Sequence, residues 1–585
     1  METRTKPEGA GFEERFEERF EERMACGVRP RSLATVLIYT AFTWTLYAGP
    51  VSAQQLPAPA QPRADVPSVP GFAPEQAPGI TVTPLGTGAP PGADRVPVDF
   101  RGFVIEGASV YSPAELEAVY AKAVGQRITL AQVFELAAAV QEKYRTDGYL
   151  LARAVIPAQN VSDGAFRLQV VEGFVSAVAV EGDVGPVRER VERYFARIVD
   201  LKPINNSDLE RFLLLANDIP GITASGILRP GQGELGAAEL LVRVERKFYD
   251  VVWLANNRGS RFTGQSRMLL AAALNSLTSR GERTEIIVAG TITSDEQLLG
   301  QLTHSQLIGD DGASITLQAS YGPSKPGLAL ERLDTETKST RLSGELTYPV
   351  IRSRERNLYV SGGVEAVRTE VETSGQELSR DDLRVIKASA SYDFVDDYGG
   401  SNLVSLAVRQ GIEAFGASSS ETSRRSRPEG RTEFSLVQVD ASRYQRLNDR
   451  FGLQFFARGQ YAFDTLLSNE EFTLGGQSCG RGYDPAELAG EHGLCFSTEL
   501  QMNATPPFEW LSALQLYGFH DVGTVWNDDT GTEPRESLAS AGLGVRTRWF
   551  DNVFVELELA KPLTRRVGTE NDRDPRVYFQ VSARF

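Results

Sequence analysis

The chain has 585 residues, a formal net charge of −16, and only three histidines and three cysteines. That acidic balance argues against a nucleic-acid partner, which needs a basic face to neutralise phosphates. His304, His492, His520, Cys26, Cys479 and Cys495 lack metal-ligand spacing, so neither a metal nor a cofactor is expected.

Residues 12–23 read FEERFEERFEER, an acidic repeat ahead of a basic start, which points to initiation at Met24. The apolar run SLATVLIYTAFTWTLYAG (32–49) follows Arg29 and Arg31 and precedes Val51-Ser52-Ala53, so residues 1–53 read as a secretory signal region. An uncleaved anchor is the alternative. From Gln54 to Asp94 ten prolines fall in 41 residues with little aliphatic periodicity, and residues 54–97 are expected to be an extended linker.

Residues 98–173 and 174–247 repeat one order of elements. In the first, FVIEGASV (103–110) precedes a helix over 112–125, with Ser112, Pro113 and Glu115 as start signals, and a second helix over 129–148. The strand runs YLLARAVIP and AFRLQVVEG follow. In the second segment, VSAVAVEG (175–182) leads to helices at 186–198 and 206–217, then ITASGILRP and AAELLVRVER. The order β-α-α-β-β describes a small α+β domain with helices on one face of a sheet.

After Lys247 the helical period vanishes, and about sixteen runs alternate apolar with polar residues, the pattern of membrane strands about 9–11 residues long. Charged groups in runs such as RVIKASASYDF (384–394) stand where a soluble sandwich would have a dry core. Long connectors at 323–340, 370–381, 412–432, 463–495, 526–536 and 561–575 alternate with short ones at 350–355, 396–400, 445–449 and 549–552, as expected of surface loops and periplasmic turns. The early loops at 258–263 and 292–296 are short where the scheme allows long. The chain ends on an alternating strand with a terminal Phe585, which resembles the assembly signal of bacterial outer-membrane barrels.

From about residue 98 to Phe585 the sequence resembles the TpsB transporters of two-partner secretion, the family of ShlB, FhaC and HecB. The resemblance implies a multidomain chain: two α+β POTRA domains at 98–173 and 174–247, then a transmembrane antiparallel β-barrel of about sixteen strands at 248–585. It also implies residence in the outer membrane of a Gram-negative bacterium, with the POTRA domains in the periplasm. The family's loop between strands eleven and twelve folds into the lumen and carries a valine-arginine-glycine-tyrosine or -phenylalanine tip. Here Arg481-Gly482-Tyr483 lies in the insert 463–495, behind Gly475-Gly476, with Gly480 where the family usually has valine. The family's partner for that arginine is an aspartate in a phenylalanine-x-aspartate-x-glycine motif, here Phe519-His520-Asp521-Val522-Gly523. Arg481 and Asp521 are thus expected to pair inside the barrel.

Cys479 and Cys495 bracket the tip; a disulfide is the preferred reading for an oxidising compartment, and two free thiols the alternative. No phosphate loop, nucleophile elbow or zinc motif occurs, so no enzymatic activity is expected. The resemblance implies capture of an unfolded, TpsA-like β-helical exoprotein by the POTRA domains and its passage through the barrel. Outer-membrane lipids and the barrel-assembly machinery would be further partners. A BamA-type assembly factor, which carries a similar arginine-glycine loop but usually more POTRA repeats, is the alternative. A passive porin is a second.

Overall fold

A computed structural model describes residues 80–82 and 88–585, apart from 162, 232, 329, 420–423 and 529–534. The signal region and most of the linker lie outside the described residues. No helix among the described residues is long and apolar enough to cross a membrane.

The first α+β unit opens with β2 (Pro97–Phe100) and β3 (Gly102–Glu106). Helix α1 (Pro113–Tyr120) starts where Ser112 and Glu115 form a reciprocal capping box with proline at its first position. A short strand, β4 (Gln126–Thr129), pairs with β2 and leads into α2 (Leu130–Thr146), capped in the same way by Thr129 and Gln132. The unit ends with β5 (Arg153–Val155) and β6 (Ala165–Val171), giving a sheet of order β3-β6-β5. Val133, Ala137, Val140 and Tyr144 recur at helical spacing on α2 and pack on Phe166 and Leu168. The β2–β4 pair is an addition to the expected order.

The second unit contains β7 (Phe174–Gly182), α3 (Arg188–Val199), α4 (Asn206–Asn217), β8 (Ile222–Pro230) and β9 (Ala237–Arg246). Its sheet has an additional member that corrects the linker reading: β1 (Ile80–Val82) runs parallel along β8 from Gly226 to Leu228. Three consecutive β-formers, Ile80-Thr81-Val82, stand there between prolines, and backbone bonding to an open sheet edge needs no apolar burial.

Sixteen antiparallel strands then close into a barrel, the first being Tyr249–Asn256 and the sixteenth Arg576–Arg584. Period-two alternation sets the faces. On strand 9 (Gly400–Gly411), Val404, Leu406 and Val408 are exposed outward, whereas Ser405, Ala407 and Arg409 turn toward the lumen. Strands 6, 7 and 8 (Thr335–Arg352, Arg356–Thr373, Gln376–Val395) run 18 to 20 residues, so the connector expected at 370–381 shrinks to the turn at Ser374-Gly375. Both ends of 323–340 are likewise strand, up to Ser324 and from Thr335. These ends are mostly polar, broken by the buried Val371 and the exposed Leu378, and ladder bonding carries them beyond the apolar band.

The second α+β unit sits against the barrel's periplasmic turns. Arg352 grips Asp218 of the α4 terminus through two bonds of 2.9 and 2.6 Å, and Arg193 of α3 bonds Asp310 at 3.3 Å. Leu215 packs where a Cβ on Gly312 would lie 2.6 Å from its methyl carbon.

Candidate functional site

The connection between strand 11 (Phe451–Ala462) and strand 12 (His492–Ala504) crosses the lumen. Near its start, Glu470 accepts two bonds from Arg409 of strand 9, at 2.9 and 2.8 Å, and Leu466 and Leu467 pack on Val367, Leu383 and Phe434. A two-stranded stalk, Phe472–Leu474 paired with Leu488–Gly490, then delivers the tip to the opposite wall. This connection, loop 6 (residues 463–491), therefore braces both sides of the pore.

At the tip the Arg481 guanidinium forks onto Asp521, with Nε donating at 3.1 Å to Oδ2 and Nη2 at 3.0 Å to Oδ1. The Arg481 backbone N–H adds a bond of 2.9 Å to Oδ2. Nη1 donates to Glu499 at 2.7 Å, and the guanidinium lies 3.5 Å from the Phe519 ring centroid. Asp521 is fully enclosed and also accepts from Ser497 at 2.7 Å and Ser540 at 3.3 Å, so its lone pairs are filled. His520, its neighbour on strand 13 (Leu511–Trp526), faces outward, as strand alternation requires.

The two glycines of the tip have different physical reasons. Gly480 has φ +97°, and a Cβ there would come within 2.7 Å of a Leu538 methyl carbon. Gly482 is pressed so closely on strand 15 (Val553–Pro562) that a Cβ would lie 2.8 Å from the Pro562 nitrogen. Tyr483 is buried and donates to the Ala539 carbonyl at 3.1 Å. Asp484 continues the line to strand 16, accepting from Arg576 at 2.7 Å.

Cys479 and Cys495 are joined by a disulfide, but not across the neck of a loop. Strand 12 begins at His492 and not at residue 495, so Cys495 is a wall residue, paired with Arg458 and Gly523, and Cys479 stands two residues before Arg481. The bond fastens the tip to the barrel wall.

The sequence reading missed the rest of the charge cluster. Arg546 of strand 14 (Arg535–Trp549) bonds Glu499 at 2.5 Å and Glu556 at 2.9 Å, and Tyr517 donates to Glu556 and Glu558 at 2.8 and 2.9 Å. The available signal was FVELELAK: Glu556 and Glu558 alternate with the outward Leu557 and Leu559 on strand 15. Phe585 lies at the closing seam, where it exchanges backbone bonds of 2.9 and 3.1 Å with Val251. Among the described residues no group of His, Cys, Asp and Glu has the arrangement of a metal site.

Residues 240–547 match the family described as haemolysin secretion/activation protein ShlB/FhaC/HecB, and residues 98–173 match the ShlB-type POTRA domain. The heme/hemopexin transporter protein HuxB of Haemophilus influenzae (strain 86-028NP) is 24% identical over 77% of this chain and 81% of its own. The hemolysin transporter protein ShlB of Serratia marcescens is 24% identical over 86% of this chain and 88% of its own. Among solved structures, CdiB from Escherichia coli superposes with a TM-score of 0.69 at 18% identity, covering 87% of this chain and 94% of that one. BamA from Haemophilus ducreyi, lacking POTRA domains 1–3, reaches 0.51 at 13% identity over 83% of this chain and 100% of that one. Both likenesses show the shared fold.

Proposed function

The chain belongs to the ShlB/FhaC/HecB family of haemolysin secretion/activation proteins and is an outer-membrane transporter of two-partner secretion; on that premise we propose that loop 6 is its gate. Its partner is a secreted exoprotein, and the POTRA region lies in the periplasm. Family membership fits this activity and not the BamA-type alternative or a passive porin.

In the proposed cycle, residues 98–173 and 174–247 act as receptor modules and residues 248–585 as the conduit. The cargo is an unfolded chain of the β-helical kind. The outer edge of β3, with Val104 half exposed, supports capture by strand addition, since main-chain bonding accepts many sequences. Cargo then draws Arg481 off Asp521, swings loop 6 about its Cys479–Cys495 anchor on strand 12 and threads outward, and folding outside opposes its return. The outward apolar band meets outer-membrane lipid, and the terminal strand ending at Phe585 is what the barrel-assembly machinery would engage.

The observation that carries this reading is the bracing of loop 6 across the lumen by Arg409–Glu470 on one side and Arg481–Asp521 on the other. A strain lacking this transporter, complemented with the wild-type chain or with Arg481→Ala, tests it. Release of the cognate exoprotein should return with the first alone, while both barrels insert. Full release with the variant would sink the gate.

A further inference from the structure

The barrel closes where strand 1 meets strand 16, and this seam has its shortest ladder: five residue pairs join Val252–Asn256 to Gln580–Arg584, against eight or more at every other junction, with the Val251–Phe585 exchange and an Asn257 N–H bond of 3.3 Å to the Phe579 carbonyl at its ends. A thinly paired junction is where a closed sheet would part first. Side chains reinforce it at the outer end. The Asn257 amide donates to the Val577 carbonyl at 2.9 Å and accepts from the Phe579 N–H at 2.8 Å.

Arg258 reaches further. From just past the end of strand 1 its guanidinium crosses strand 16, 5.0 Å from the Tyr578 ring centroid, and bonds Glu558 at 3.0 Å and Glu556 at 3.5 Å on strand 15. All three charged side chains are at least nine-tenths buried. A single residue thus ties strand 1 to strand 15 over the weak seam, from the lumen side.

The same carboxylates face the tip of loop 6. The second oxygen of Glu558 lies 3.7 Å from the Arg481 guanidinium, and Glu556 also accepts from Arg546. Four carboxylates, Asp521, Glu499, Glu556 and Glu558, share three guanidinium groups, Arg481, Arg546 and Arg258. When Arg481 withdraws with loop 6, Arg258 and the Tyr517 hydroxyl both remain on Glu558, so the tie across the seam does not depend on the position of the gate.

We propose that Arg258 is a clamp on the barrel's closing seam, which keeps strands 1 and 16 together while loop 6 moves, so that cargo leaves along the pore axis and not sideways into lipid. The outlet part rests on the translocation reading above; the clamp itself does not. Arg258 is a positioning residue: it shares Glu558 with Arg481 but makes no bond to Asp521, and its side-chain bonds run to strand 15.

The test uses the full chain in liposomes and in cells. Amide exchange at Trp253 and Ala255, whose N–H groups point across the seam, should rise at least tenfold in Arg258→Gln and less in Arg258→Lys, while exchange at Val360–Val367 in strand 7 stays at the wild-type rate. Leu254 and Ser582 face each other three positions along from the hydrogen-bonded Val251 and Phe585, and alternation makes them a closely spaced non-hydrogen-bonded pair suited to a disulfide. The oxidised Leu254→Cys/Ser582→Cys tether should leave exoprotein release within twofold of wild type. In the Arg258→Gln background release should fall at least fivefold, and the tether should restore it. Wild-type exchange at the seam in Arg258→Gln, or a uniform rise over all strands, would overturn the clamp. Loss of release on tethering the wild type, or failure of the tether to rescue, would overturn the outlet. Absent release in every chain, with seam exchange still responding to Arg258, would count against the translocation reading instead.

Discussion

Arg481→Ala is the sharpest single perturbation of the gate. It removes the fork onto Asp521, the bond to Glu499 and the cation over Phe519, and leaves two carboxylates in a site where Asp521 is fully enclosed and Glu499 only 6% exposed. Breaking a buried ion pair in this way costs about 3–5 kcal/mol. At about 1.4 kcal/mol per tenfold, the closed-to-open ratio of loop 6 should fall by roughly two to three and a half orders of magnitude. The lower end is favoured, because Asp521 keeps the Ser497 and Ser540 hydroxyls and the backbone N–H groups of the tip. Conductance of purified protein in planar bilayers reads this directly: rare openings in the wild type should become frequent in the variant. Arg481→Lys should fall between them, since an ammonium cannot fork onto one carboxylate while bonding another. Heat-modifiable migration on gels should stay unchanged, because the tip makes no barrel-strand ladder. An open probability within threefold of wild type would refute the reasoning.

Two glycine changes separate backbone fit from charge. Gly480→Val restores the residue the family usually carries, yet it forces a branched side chain onto a positive φ, at about 1–2 kcal/mol, and against Leu538; openings should increase with Arg481 intact. Gly482→Ala should lift the tip from strand 15 and reproduce the Arg481→Ala conductance, and normal closure would show that the tip is not seated there. Cys479→Ser with Cys495→Ser removes a link that closes a segment of sequence separation 16, worth about 3 kcal/mol in the chain-entropy picture. Adding Arg481→Ala to that chain should raise open probability more than the same change does in the oxidised protein; equal increments would mean that the disulfide does not restrain the tip. In the first POTRA domain, burial works against the Glu172 charge, but bonds from Ser109, the Val110 amide and Tyr144 outweigh it and hold its carboxyl below the usual carboxylate range. Such a group stabilises the fold above the ordinary carboxylate pKa of about 4.3, and its contribution is lost as pH falls through the lower folded value. Amide protection of β3 and β6 should therefore show an acid step that Glu172→Gln removes.

Local signals were legible wherever short-range chemistry decides the structure. Ser112 and Thr129 start helices through capping boxes, and α4 runs over the residues its pattern indicates, from Asn206 to Asn217. Loop 6 stood out as a long insert between alternating runs. The linker strand at Ile80–Val82 was hidden because a strand added to another sheet's edge needs no alternation of its own. The long ends of strands 6 to 8 were hidden because a mostly polar stretch with single apolar residues such as Val371 and Leu378 looks like a loop until the partner strand is known. Cross-strand register is also what joins Glu499, Arg546, Glu556 and Arg258 into one cluster, although they come from four different strands or strand ends. The position of Cys495 on the wall, and so the difference between a stapled neck and a fastened tip, follows from the same register.

The central claim is that cargo passes through the lumen with loop 6 displaced. Photo-crosslinkers placed at Ser405, which faces the lumen on strand 9, and at its outward neighbour Leu406 can test it on an exoprotein stalled by a folded C-terminal tag. Adducts to the stalled chain should form from Ser405 and none from Leu406, together with loss of protection at the loop 6 tip. Adducts from Leu406, or a stalled chain that never contacts Ser405, would contradict that claim.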